Sequence, residues 1–89
     1  MKLEFTHVAL NDLKRLRQFI AKKNPQAARR YSERLQYSLR RLMDHPGLGR
    51  TLDELPNVRE LVAGDYVARY VVKDDRIIIL NISHEKEER

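Results

Sequence analysis

Eighty-nine residues, 42% hydrophobic and 35% charged, suffice for one small core, so a single domain over residues 1–89 is expected. With no cysteine, disulfides and thiolate metal sites are excluded, and no apolar run approaches the roughly 18 residues that would cross a bilayer. The net charge of +5 is uneven: residues 1–50 carry 12 Lys/Arg against 4 Asp/Glu, and residues 51–89 carry 6 against 9. The basic half suits nucleic acid, an acidic protein or simple solvation. MKLEFTH offers no apolar stretch of signal-peptide length, so a cytoplasmic location without membrane contact is expected.

Lys2 to Phe5 alternates polar and apolar residues, as a first strand would. Thr6 is a candidate N-cap for a helix over about residues 8–22, whose apolar stripe is Ala9, Leu13, Leu16 and Ile20, widened by Phe19. Asn24-Pro25 breaks that pattern and opens a second helix from about Pro25 to Met43. Its stripe is Ala28, Tyr31, Leu35, Leu39 and Leu42, and Arg29, Arg30, Arg34, Arg40 and Arg41 crowd the remaining surface. So short a break predicts an antiparallel helical pair. Pro46, Gly47 and Gly49 make HPGLGR (45–50) a loop, and Thr51 to Asn57 reads as irregular. Val58 to Ala63, Tyr66 to Lys73 and Arg76 to Ser83 are rich in β-branched and aromatic residues. Gly64-Asp65 and Asp74-Asp75 are the turns between them. The expected fold class is α+β, in the order β-α-α-β-β-β, with a helical hairpin packed on a small antiparallel-rich sheet.

A two-residue loop at Asp74-Asp75 pairs Lys73 with Arg76 and sets the register. One sheet face then carries Tyr66, Ala68, Tyr70 and Val72 with Ile77, Ile79, Asn81 and Ser83, and the other Val67, Arg69 and Val71 with Ile78, Leu80 and Ile82. Two helices cover one face only. The second is expected to dock a partner, since burying a few hundred Å² at about 25 cal/mol per Å² gives several kcal/mol.

Chemistry-bearing motifs are sparse. There is no glycine-rich phosphate loop, no nucleophile elbow around Ser32, Ser38 or Ser83, and no metal-ligand spacing among His7, His45 and His84, so neither cofactor nor metal is expected. Arg59, Arg69 and Arg76 lie on strands, with His84 ending the last one. Cations beside a histidine could serve RNA cleavage, with the imidazole as acid or base. Strand arginines paired with Glu60 or Asp65 are the simpler reading. No helix-turn-helix signature is present.

A-x-x-D-L at Ala9 to Leu13, NPQAA at 24–28, HPGLGR at 45–50, VRELV at 58–62, YVARYVV at 66–72 and IIILNISH at 77–84 together resemble the RelE/ParE superfamily, the toxins of bacterial type II toxin–antitoxin pairs. The resemblance implies a cognate antitoxin bound in a hetero-oligomer, and a role of the plasmid-stabilisation kind. Val67, Arg69, Val71, Ile78, Leu80 and Ile82 would then form the antitoxin-binding face. RelE-type members cleave mRNA on the ribosome, for which Arg59, Arg69 and His84 are the candidate catalytic residues. However, Val67 stands where ribonuclease members often carry Arg, and the tail HEKEER has no Tyr. Y-x-x-R-Y at Tyr66 to Tyr70 and His84 are closer to ParE-type members, which inhibit DNA gyrase without catalytic residues of their own. The ParE-like reading is favoured. The alternatives are a RelE-like endonuclease and an antitoxin-binding protein without toxicity.

Overall fold

The computed structural model describes residues 1–85. Strand β1 (Lys2–Phe5) leads through Thr6 into helix α1 (His7–Lys23), and helix α2 (Pro25–Asp44) follows directly. The Thr6 hydroxyl accepts the Ala9 N–H at 3.0 Å, and the Asn24 side chain accepts from Gln26 and Ala27, with Pro25 where its missing N–H costs nothing. Strands β2 (Arg50–Leu52), β3 (Leu55–Ala63), β4 (Tyr66–Lys73) and β5 (Arg76–His84) complete a five-stranded sheet of order β1-β5-β4-β3-β2. Only β1 and β5 pair in parallel. The architecture is thus the expected α+β hairpin-on-sheet. It gains a short edge strand, β2, and three residues of β3 in the segment read as irregular.

The helices cover one face. Leu16, Leu35, Leu39 and Leu42 meet Ala68, Tyr70, Ile77, Ile79 and Ile82 in a single core. Lys73 does pair with Arg76, and Asp74 and Asp75 both take positive φ, +50 and +61, which the tight turn requires.

The expected face assignment fails beyond Leu80. Tyr70 pairs with Ile79 but Arg69 pairs with Asn81, so Leu80 is an extra residue in β5, a β-bulge. The shift exchanges the faces of everything after it. Ile82, assigned from the sequence to the free face, is 1% exposed in the core, and Asn81 and Ser83 are turned out instead.

Helix α1 holds the bulge from the side. Beyond the end of β1, no strand among the described residues lies beside the edge of β5, and side chains supply the missing bonds. The Thr6 hydroxyl donates to the Leu80 carbonyl at 2.8 Å. Asp12 accepts the Ile82 N–H at 2.8 Å, while Arg15 pairs with Asp12 at 2.6 Å and reaches the Ile82 carbonyl at 3.3 Å. Asp12 therefore sits buried within the apolar stripe, as a backbone acceptor.

Candidate functional site

The uncovered sheet face is crossed by one polar row. Arg50 on β2 pairs with Glu60 on β3, Glu60 with Arg69 on β4, and Arg69 with Asn81 on β5. Arg50 donates to one Glu60 oxygen at 2.6 Å and Arg69 to the other at 3.2 Å, and the carboxylate is only 9% exposed. The hydrogen bond from Arg50, aided by Arg69, outweighs desolvation and holds the Glu60 carboxyl below the usual range. Aliphatics lie on both sides of this row: Val67 and exposed Val62 on one, half-buried Val71, Ile78 and Leu80 on the other. The face is therefore mixed in character, with less aliphatic surface than its sequence reading gave it.

The three candidate catalytic residues are not brought together. Arg69 lies on the free face. Arg59, its near neighbour in the sheet, has the opposite parity, and its guanidinium donates to the carbonyls of Gly49 at 2.8 Å and Gly47 at 3.4 Å. His84 is 5% exposed under the helices, its ring 5.1 Å from that of Tyr66 and 5.6 Å from that of Phe19, with Asp65 3.9 Å from Nε2. Arg76 donates to Glu4 at 3.2 Å.

The HPGLGR loop has a structural explanation that sequence reasoning missed. The fully buried Tyr70 hydroxyl donates to the Pro46 carbonyl at 2.7 Å and accepts from the Gly49 N–H at 2.8 Å. A Cβ on Gly49 would lie 2.7 Å from the Tyr70 ring and hydroxyl and 3.0 Å from the Glu60 carbonyl, so only glycine fits. Glu60, expected as a partner for strand arginines, does pair with Arg69; what the sequence reading missed is its place between Arg69 and Arg50 at the centre of the row. Its signal was period-two alternation in VRELV, which puts a carboxylate on the same face as Val62.

A second recess opens on the helical side. A groove of about 380 Å³ runs between α1, α2 and β1, walled by Leu3, Phe5, Leu13 and Leu39, with Arg17 and Arg40 among its lining residues. Among the described residues, no cluster of three or more His, Asp or Glu side chains is arranged to hold a metal, and no helix is long and apolar enough to cross a membrane.

Two helices on one face of a mixed sheet, with the other face left open by them and crossed by a row of ion pairs around a buried Glu60, define a small α+β protein. Comparison with known proteins places it more narrowly. Residues 3–89 match the model of the family described as ParE toxin of the type II toxin–antitoxin system parDE. Toxin RelE2 of Caulobacter vibrioides is 37% identical over 81 residues, covering 90% of each chain. Among solved structures, a chain of the chromosomal ParDE system from P. aeruginosa superposes with TM-score 0.81 at 25% identity, over 94% of this chain and 95% of that one. A chain of the toxin–antitoxin complex RelBE2 from Mycobacterium tuberculosis shares the fold, with TM-score 0.71 at 22% identity, over 97% and 92%. The chain belongs to the RelE/ParE toxin superfamily, in its family of ParE toxins of type II toxin–antitoxin systems.

Proposed function

We propose that this toxin inhibits DNA gyrase and is neutralised by a cognate antitoxin that covers the free sheet face. The observation that carries the gyrase reading is the separation of Arg59, Arg69 and His84. One is spent on loop carbonyls, one on Glu60, and one is buried in an aromatic cluster on the opposite face from Arg69. General acid–base cleavage of RNA needs its groups within hydrogen-bond reach of one substrate atom, and these three have no shared approach. Inhibition by binding needs surface alone. The ParE family match supports the same branch. A gyrase target also implies the cytoplasm as its place of action.

The antitoxin site is assigned to Val67, Arg69, Val71, Ile78 and Leu80. Ile82, expected there from the sequence, is withdrawn because the bulge buries it. The polar row through Glu60 would fix the register of a peptide laid across the aliphatics, and burial of those aliphatics would supply the affinity.

Supercoiling and ribosome assays run side by side test the target. The full chain is expected to block supercoiling and accumulate cleaved DNA while mRNA on ribosomes stays intact. Intact supercoiling at saturating toxin overturns the reading. A ribosome-dependent mRNA endonuclease remains the second reading, favoured by the RelE name of the 37%-identical Caulobacter relative. Under that reading Arg69→Ala abolishes mRNA cleavage in a folded protein.

A further inference from the structure

The solvent side of α2 carries an arrangement that neither the core nor the free sheet face uses. Arg30, Arg34, Tyr37 and Arg41 are spaced four, three and four apart and all are exposed, so they form one stripe along a flank of the helix. Tyr37 is 61% exposed. Among the described residues no carboxylate pairs with Arg30, Arg34 or Arg41. Glu33 is engaged with Arg29 on the other flank at 3.8 Å. A hollow lined by Ala27, Arg30, Tyr31 and Arg34 lies beside the N-terminal half of the stripe.

We infer that this flank binds the phosphodiester backbone of DNA without reading its sequence. At about 1.5 Å rise per residue the stripe from Arg30 to Arg41 is about 16 Å long. At about 3.4 Å per charge that faces about five phosphates of one strand. Guanidiniums match phosphate oxygens in geometry and remain charged at all relevant pH values. Tyr37, set between Arg34 and Arg41, adds a ring for stacking or a hydroxyl for a phosphate, as aromatics do in strand-binding grooves. An acidic peptide is the weaker fit. A segment that folds on binding needs apolar anchors, and from Ala27 to Arg41 this flank presents Ala27, Tyr37 and Ser38 rather than branched aliphatics. The choice of DNA over RNA rests on the gyrase reading, because a gyrase inhibitor acts beside enzyme-bound DNA.

Fluorescence anisotropy of a labelled oligonucleotide with the full-length toxin, free of antitoxin and gyrase, tests this across a salt series. The triple variant Arg30→Gln/Arg34→Gln/Arg41→Gln is expected to weaken binding at least tenfold. Its slope of log affinity against log salt should become shallower by about two to three, at about 0.7–0.9 per lost phosphate contact. Arg29→Gln on the other flank is the control for net charge, and circular dichroism checks that each variant is folded. Wild-type affinity in the triple variant, or an equal loss per charge in Arg29→Gln, overturns the assignment of this flank. Single-stranded and duplex DNA and RNA of one sequence form separate arms, and tighter binding to both RNA forms overturns the choice of DNA. A toxin that binds DNA through this flank yet leaves supercoiling intact sinks the gyrase reading alone. One that blocks supercoiling without binding DNA sinks this inference alone.

Discussion

The Tyr70 hydroxyl joins the Pro46 carbonyl and the Gly49 N–H, two backbone groups of a loop that otherwise lacks regular pairing, so Tyr70→Phe removes both bonds while keeping the ring. The expected cost is about 1–3 kcal/mol, since two buried backbone groups lose their partner. Urea unfolding of the two proteins measures it. Glu60 gives a pH signature. Its carboxyl is held low in the folded protein, so its stabilisation is complete above the ordinary carboxylate range and is lost as pH falls through the lowered folded value. The stability gap between wild type and Glu60→Gln should therefore be widest near neutral pH and close under acid. A gap that stays constant contradicts the role given to Arg50 and Arg69. Tyr66 runs the other way: burial, with smaller contributions from Tyr31 and Asp65, raises its phenol. Its contribution is present at neutral pH and declines only in strong alkali.

At the scale of elements, α1 acts as packing surface and as a surrogate strand for the end of β5. Asp12→Ala leaves the buried Ile82 N–H without its acceptor and takes away the carboxylate that Arg15 pairs with, and is expected to cost about 1–3 kcal/mol. Thermal denaturation should show the loss, and hydrogen exchange should locate it at residues 80–84. The helices were legible in the sequence because their stripes repeat at the helical period and Thr6 and Asn24 carry capping chemistry. The β4–β5 turn was legible because two adjacent aspartates tolerate positive φ. The bulge was not. Nothing around Leu80 marks it, no glycine or proline intervenes, and the groups that hold it, Thr6 and Asp12, lie more than sixty residues away in the chain. Strand β2 was missed because three residues at a sheet edge, all exposed or half-buried, show no alternation.

For the whole molecule, stability and partner binding should separate cleanly across the sheet. Ile82→Ala empties a core position and is expected to cost about 2–5 kcal/mol. Ile78→Ala, on the open face, should cost far less in unfolding yet weaken antitoxin binding several-fold by calorimetry. Equal destabilisation by both would mean that the monomer already shelters its open face. The existence of that face was legible, because two helices cannot wrap both sides of a sheet. Its make-up was misjudged, because register past Ile79 was extrapolated from the turn as though the ladder were unbroken.

The alternation of β5 also limits how this chain can change length. Deleting Leu80 would only remove the bulge and leave Ile82 and His84 under the helices, whereas a residue inserted between Asn81 and Ile82 would evert the strand's end, exposing the Ile82 and His84 side chains and driving Ser83 under the helices. By contrast, the β2–β3 turn at Asp53-Glu54 projects into solvent and can gain or lose residues without reassigning any side of the sheet. Insertions in relatives should thus gather at that turn and avoid the last strand, where one added residue would turn the strand's end inside out.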